Sequence, residues 1–311
     1  MSNTTIPAAP SSWLLALRAH AGEHRLAALG LLLALLAVML LLAQSLWQVF
    51  SGAASPMLRH ALLGGVAGFA ATALGALPAL VLRGIPQRLE DSLLGMAAGM
   101  MLAASAFSLL LPGLEAGSEL LGSKPWGAAI VVAGMALGVM LMLGLDAFTP
   151  HEHDKTGPCG PGHERCGRVW LFVFAIALHN LPEGMAIGVS FAGGDLGVGL
   201  PLTTAIALQD IPEGLAVALA MRSAGLSAFK AVSIAALSGL LEPVGALLGV
   251  SLSSGLAPAY PLGLGLAAGA MIFVVSHEVI PETHRNGHQT PATVGLMTGF
   301  AVMMVLDTAL A

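Results

Sequence analysis

Charge is what this sequence has least of. Only 9% of its 311 residues are Asp, Glu, Lys or Arg, against about a quarter in a soluble domain. A chain so poor in charge cannot cover a water-facing surface, which excludes an ordinary cytosolic enzyme and a disordered chain. Lys and Arg number 12 and the net charge is −5. No basic patch is available for a phosphate backbone, so nucleic acid is excluded as a partner. The two cysteines, Cys159 and Cys166, are too few for a disulfide framework. Aromatics make up 5% with a single tyrosine, Tyr260, which leaves little to wall a pocket for an organic molecule. What is present is apolar: 56% of residues are hydrophobic and 39 are glycine, with a mean hydropathy of +0.86. Abundant glycine suits helices that approach closely in lipid. The composition predicts an all-α integral membrane protein surrounded by a lipid bilayer.

A helix needs about 20 mostly apolar residues to cross the hydrocarbon core. Nine segments qualify: 26–43, 61–82, 92–112, 126–145, 169–192, 198–221, 231–252, 256–276 and 291–310. Short connections make sequence neighbours antiparallel, and the runs lack the period-two alternation of a barrel. With the N-terminus inside, Arg18, Arg25, Arg83, Arg88, Lys155, Arg165, Arg168, Arg222, Lys230 and Arg285 fall on the cytoplasmic side. Only Arg59 and Lys124 fall outside. That bias predicts a cytoplasmic N-terminus, an odd number of spans and a C-terminus outside. Segment 26–43 has a second reading as a signal peptide cleaved near Ala53-Ala54-Ser55; its length and the polar head of 25 residues before it favour a retained span. The longest hydrophilic stretch, 148–168, falls inside, and its Gly and Pro content predicts no regular structure there.

Ionisable groups at membrane depth are costly and mark function. Here they are duplicated. His179-Asn180-Leu181-Pro182-Glu183-Gly184 and Gln209-Asp210-Ile211-Pro212-Glu213-Gly214 both read polar, polar, apolar, Pro, Glu, Gly, 30 residues apart. Each sits at the midpoint of its span, so the motifs form an inverted pair at the bilayer centre, where transporter sites lie. His179 and Glu183 are i and i+4, Asn180 and Glu183 are i and i+3, and Gln209, Asp210 and Glu213 repeat both relations. Each glutamate thus looks toward two neighbours, which suits a carboxylate bridging two ions. Pro182 and Pro212 free the carbonyls of Leu178 and Leu208 and predict kinks. Glu242, followed by Pro243, and Met101 lie at the midpoints of their own spans. Imidazole, carboxylate, amide and thioether donors at one depth suit a divalent transition metal such as Zn²⁺ better than Ca²⁺ or Mg²⁺.

The paired Pro-Glu-Gly motifs, with Glu242-Pro243 and His277-Glu278 in support, resemble the ZIP (Zrt/Irt-like) family of divalent metal transporters over roughly residues 58–311. The resemblance implies a polytopic bundle of eight spans, to which segment 26–43 is an extra N-terminal span after a cytoplasmic tail, 1–25. It implies two adjacent metal positions. Met101, His179, Glu183, Gln209 and Glu213 would hold the first. Asn180, Glu183, Asp210, Glu213 and Glu242 would hold the second, with Glu183 and Glu213 bridging. It further implies metal entry into the cytoplasm across a bacterial inner membrane, Zn²⁺ as cargo with Cd²⁺ as a surrogate, a homodimer, and one helix bundle shifting against another. On the topology above, Ser108, Glu115 and Asp307 would line an entrance. Asp91, Asp146, His151, His153, His277, Glu278 and His284 would line an exit. Cys159, His163 and Cys166 lack zinc-finger spacing and read as free thiols with a nearby imidazole.

Two rival functions leave weaker traces. A zinc protease wants His-Glu-x-x-His, and His277-Glu278-Val279-Ile280-Pro281 has proline at the second histidine position. Glu282-Thr283-His284 has the wrong spacing for a di-iron site. No enzyme is expected. A proton-coupled carrier of an organic substrate would also suit inverted, proline-broken helices, but it lacks aromatic walls.

Overall fold

The computed structural model describes residues 13–148, 151–153, 157–159, 168–223, 225–284 and 286–310. The tail carries a helix, α1 (Trp13–Glu23). The segments expected to span the membrane are all helical: α2 (Arg25–Phe50), α3 (Pro56–Ala76), α4 (Gln87–Ala104) continuing as α5 (Leu111–Leu121), α6 (Lys124–Phe148), α7 (Arg168–Ala192), α8 (Leu196–Ser223), α9 (Ala228–Ser238) with α10 (Leu241–Ser253), α11 (Ala259–Val274) with α12 (Ile280–Thr283), and α13 (Gln289–Leu310). Among the described residues eight helical segments are long and apolar enough to cross a membrane. The 25-residue α7, whose first part is strongly apolar in sequence, is a ninth of comparable length. The architecture is an all-α polytopic membrane protein.

Three features refine the sequence reading. First, the helical pattern runs on through Pro182 and Pro212, and the full interruption of a span lies elsewhere. A proline removes one hydrogen bond, but its φ is compatible with helix. The full interruption falls instead between α9 and α10, at Gly239-Leu240, inside what read as one span. Pro243 lies in the first turn of α10, where its missing N–H costs nothing. Secondly, α4 and α5 form one rod joined by a π-helical turn, Ser105–Leu110, and a second such turn, Val275–Val279, joins α11 to α12. Thirdly, the hydrophilic loop is not wholly irregular. His151–His153 pairs antiparallel with Gly157–Cys159 as a short hairpin of β1 and β2. A two-stranded ladder has two open edges, so Pro158 is tolerated. Lys155, His163, Arg165, Cys166 and Arg285 lie outside the described residues.

Glycine determines which helices touch. Gly134 and Gly138 on α6 face the α11 backbone at Leu262 and Leu266, while Gly265 and Gly269 on α11 face Val131 and Met135 on α6. Gly95 and Gly99 on α4 lie against Ala292 and Leu296 of α13, and Gly295 and Gly299 lie against Ser92 and Met96. Gly184 and Gly188 on α7 meet Glu242 and Ala246 of α10, and Gly245 and Gly249 return the contact at Leu181 and Met185. Each pair therefore joins two Gly-x-x-x-Gly faces. In membranes, where helix association depends on close van der Waals packing, small residues of this kind let backbones meet. In all three pairs residue numbers rise together on both helices, so the partners are parallel. Parallel partners must be an even number of crossings apart, which they are only if α7 also crosses.

The extra helix α2 is peripheral. Most of its large apolar residues are exposed, from Leu26 to Phe50, as a lipid-facing surface requires. It docks on α10 through Ser45, whose Oγ lies 2.6 Å from Ser251 Oγ.

One substitution separates packing from helix propensity. Gly138→Ala gains roughly 1 kcal/mol of intrinsic propensity, but its methyl would collide with the Leu266 carbonyl. Gly30→Ala gains the same and meets nothing within 4 Å. The thermal unfolding midpoint in detergent should fall for Gly138→Ala and hold or rise for Gly30→Ala. Equal effects would show that the interlock is unimportant.

Candidate metal centre

Glu183 on α7 and Asp210 and Glu213 on α8 bring their ligand oxygens within 4.8 Å of one another. Asp210 and Glu183 are buried and Glu213 is half-buried. Helical spacing sets the local geometry: Asp210 and Glu213 share one face of α8, and Glu183 looks across from α7. Gln209 ties the two helices together. Its Nε2 donates to Glu183 Oε1 at 2.6 Å, which leaves Gln209 Oε1 buried with no partner.

Glu242 enters from the broken helix. It is fully buried one residue after the start of α10. Thr72 on α3 donates from Oγ1 to Glu242 Oε1 at 2.7 Å. The other oxygen, Oε2, lies against Gly68: a methyl there would overlap Glu242 Oε2 and stand 3.2 Å from Asp210 Oδ2. Gly68 thus makes the space in which these two oxygens approach. Neither has a hydrogen-bond partner. Gly184, next to Glu183, packs on the Glu242 backbone, so the α7–α10 interlock places both glutamates.

His179 sets the other border. Its Nδ1 is 3.3 Å from Glu278 Oε2. Glu278, expected at an inner end of its span, therefore reaches the first Pro-Glu-Gly motif from the π-helical turn, and its Oε1 is buried and unpartnered. Asn180 is buried and donates from Nδ2 to Ser238 Oγ at 3.5 Å. Met101 is fully buried on α4 within the main apolar cluster.

Of six buried, unpartnered side-chain oxygens among the described residues, four belong to Gln209, Asp210, Glu242 and Glu278. Leaving such oxygens without donors in a dry interior is expensive. Gathering carboxylates beside one another adds repulsion that low dielectric amplifies. A divalent cation removes both costs, and carboxylate, amide and imidazole ligands suit zinc-class ions.

The pathway residues fall into separate groups. Ser108, in the first π-helical turn, donates from Oγ to Asp307 Oδ1 at 2.6 Å, which joins two of the three expected entrance residues. Glu115 is exposed on α5. Asp91 is buried and accepts from Gln87 Nε2 and Asn286 Nδ2, both at 3.2 Å, with His288 Nδ1 at 2.7 Å. Asp146 is half-buried near the end of α6. His277 stacks on Phe273 with ring centroids 4.9 Å apart. His284 Nδ1 lies 2.9 Å from the Ile280 carbonyl. His151 and His153 stand on β1.

Sequence reasoning missed Thr72, Gly68, Asn286 and His288. Thr72 is 170 residues from Glu242, and nothing local to either marks the pairing. His288 carried a signal, an ionisable side chain next to the start of α13.

Comparison with known proteins follows the same residues. Residues 149–307 match the family model described as ZIP Zinc transporter. Zinc transporter ZIPB of Bordetella bronchiseptica is 63% identical over 292 residues, covering 94% of each chain. Zinc transporter GufA of Myxococcus xanthus is 44% identical over 77% of this chain and 94% of its own. Human zinc transporter ZIP11 is 30% identical over 81% of this chain and 97% of its own.

The two residues that hold Glu242 in place, Thr72 and Gly68, supply a test. Thr72→Val removes the hydrogen bond to Glu242, and Gly68→Ala displaces its Oε2. Loss of outer partners typically costs about 10–100-fold in metal affinity. Zinc titration calorimetry of the purified protein should show a loss of that order for each variant. Wild-type affinity in both would detach Glu242 from metal binding.

Proposed function

The chain belongs to the ZIP family of zinc transporters, and on that footing we propose that it carries Zn²⁺ across a membrane through a two-position site at the midplane, toward the cytoplasm. The family is one of transporters, not enzymes. Transport of a divalent metal, zinc in the named relatives, is the broad reading. The observation that carries the finer one is the convergence of Glu183, Asp210 and Glu213 within 4.8 Å. Carboxylates gathered at that spacing suit a cation, and no comparable observation favours a carrier of organic substrates.

Met101, His179, Glu183, Gln209 and Glu213 are assigned to one metal position. Asn180, Glu183, Asp210, Glu213 and Glu242 are assigned to its neighbour, with Glu183 and Glu213 shared. The Ser108–Asp307 pair and Glu115 line the way in. Asp91, Asp146, His151, His153, His277, Glu278 and His284 line the way out, with Glu278 handing over from His179. The distribution of Lys and Arg supports a cytoplasmic N-terminus and a C-terminus outside. A bacterial inner membrane, a homodimer and Cd²⁺ as a surrogate cargo rest on the family resemblance. The ZIP domain is residues 58–311, preceded by the added span.

Mechanistically, the buried ligands replace the hydration shell that the ion loses at the midplane. The net negative site attracts the cation, and its crowded carboxylates keep no single arrangement so stable that the ion cannot leave. Protein reconstituted in liposomes loaded with a zinc-sensitive dye should pass external Zn²⁺ and Cd²⁺. Glu183→Ala, Glu213→Ala protein should pass neither. Equal flux in both would move the site elsewhere.

Protons compete with metal for carboxylate and imidazole ligands. Uptake should therefore weaken as pH falls from about 7.5 to 5.5, the range in which histidine also gains charge. A rate flat across that window would show that ligand deprotonation does not limit transport.

A further inference from the structure

Two clusters of three metal-ligating side chains occur among the described residues, and only one is the buried Glu183, Asp210, Glu213 group. The other is His20, Glu23 and His24. We propose that this cluster, at the junction of α1 and α2, is a separate binding site for a divalent cation of the zinc class.

The geometry is that of an open chelate. His20 and Glu23 lie in the last turn of α1, and His24 is the residue between the helices. His20 and Glu23, at i and i+3, share one face of α1, and with His24 their ligand atoms lie within 4.8 Å of one another. His24 has φ −113° and ψ 52°, outside the helical region, so the bend itself positions the third ligand. The two imidazole centroids are 4.6 Å apart with planes tilted by 53°. Their ring nitrogens can therefore meet at one point, which stacked rings could not. The His20 ring also packs edge-on against Phe148, 5.0 Å between centroids, which limits its rotation before any ion binds. Arg25, the nearest cation in sequence, turns its Nε toward the Gly22 carbonyl at 3.3 Å.

An exposed polar helix face would account for the residue types. It would not account for two imidazoles and a carboxylate converging across a helix break, with one ring held by a residue of another helix. Two neutral imidazoles and one carboxylate give a Zn²⁺ complex of net charge +1 with a fourth position open. Phe148 is the last residue of α6, so the site adjoins, in sequence, the loop that carries His151, Glu152 and His153. A three-ligand site with a fourth position open would exchange its ion readily. On the topology proposed above, that makes it a relay at the inner mouth; the site itself does not depend on that topology.

The test uses the full-length protein and counts bound zinc by equilibrium dialysis. The Glu183→Ala, Glu213→Ala protein should retain one equivalent of Zn²⁺, and adding His20→Ala and His24→Ala should abolish it. Alone, the His20→Ala, His24→Ala pair should lose one equivalent and keep those of the midplane, so this result is independent of the transport reading. Equal stoichiometry with and without the two histidines overturns the proposal. So does an absence of retained zinc in the midplane variant. A second variant guards against misfolding: His20→Cys, His24→Cys should bind Cd²⁺ with a thiolate-to-metal absorption band absent from the alanine pair. No such band would also overturn it.

Discussion

A carboxylate in a membrane interior is tolerated only when something of opposite charge, or a set of donors, meets it. This chain places Glu183, Asp210 and Glu242 out of water at once, with Glu213 beside them. Two donors, Thr72 and Gln209, serve two of the carboxylate oxygens. The supply of donors thus falls short of the demand, a shortfall that the proposed cation would meet. Everything else in the fold serves to hold four acidic side chains together against their own repulsion.

Glycine provides the holding force. Repulsion between carboxylates would spread α7, α8 and α10, and no hydrophobic effect drives helices together in lipid. Backbone contact compensates. Gly184 and Gly188 admit α10, and Gly245 and Gly249 admit α7. The first of these contacts is made at Glu242 itself, so the interlock and the ligand are one structure. Gly75 and Gly214 join α3 to α8 in the same way, at Ile211 and Thr72. Thr72 is thereby fixed by its backbone on α8 and by its side chain on Glu242, and it couples the two halves of the site.

How much of this could be read in sequence depends on range. The duplicated motifs were legible because i, i+3 and i+4 are geometry internal to one helix. The spans were legible because apolar length is a sum over neighbours. Gly-x-x-x-Gly faces are visible along each helix, but which face meets which is a tertiary fact, and so the parallel pairing was not. Gly68 reads as one more small residue until Glu242 is placed beside it. Pro182 and Pro212 lie inside continuous helices, which a proline kink allows. The full interruption came at Gly239-Leu240, just before α10 with Pro243 in its first turn, inside what reads as one apolar run. His20, Glu23 and His24 carried a local signal, but they fall in a stretch that reads as tail.

The interlocks also constrain how an ion can leave. Sliding one helix along its partner would bring side chains to places where only hydrogen fits, at the Leu266 carbonyl facing Gly138 or the Ala246 carbonyl facing Gly188. Each glycine pair must therefore move as one piece. His179, Asn180 and Glu183 then travel with Glu242, since α7 and α10 are locked. Asp91 and Asp307 stay fixed relative to Ser108, since α4, its continuation α5 and α13 are locked. Opening the site to either side cannot come from distortion within a pair. Between the α7–α10 pair and the α4–α13 pair stands α8, which carries Gln209, Asp210 and Glu213 and packs on α4 and α13, so any rearrangement that opened the proposed site would have to pass through the contacts of α8. The hydrogen bonds Ser108 to Asp307 and Asp91 to His288 lie within the second of these pairs and would survive such a rearrangement.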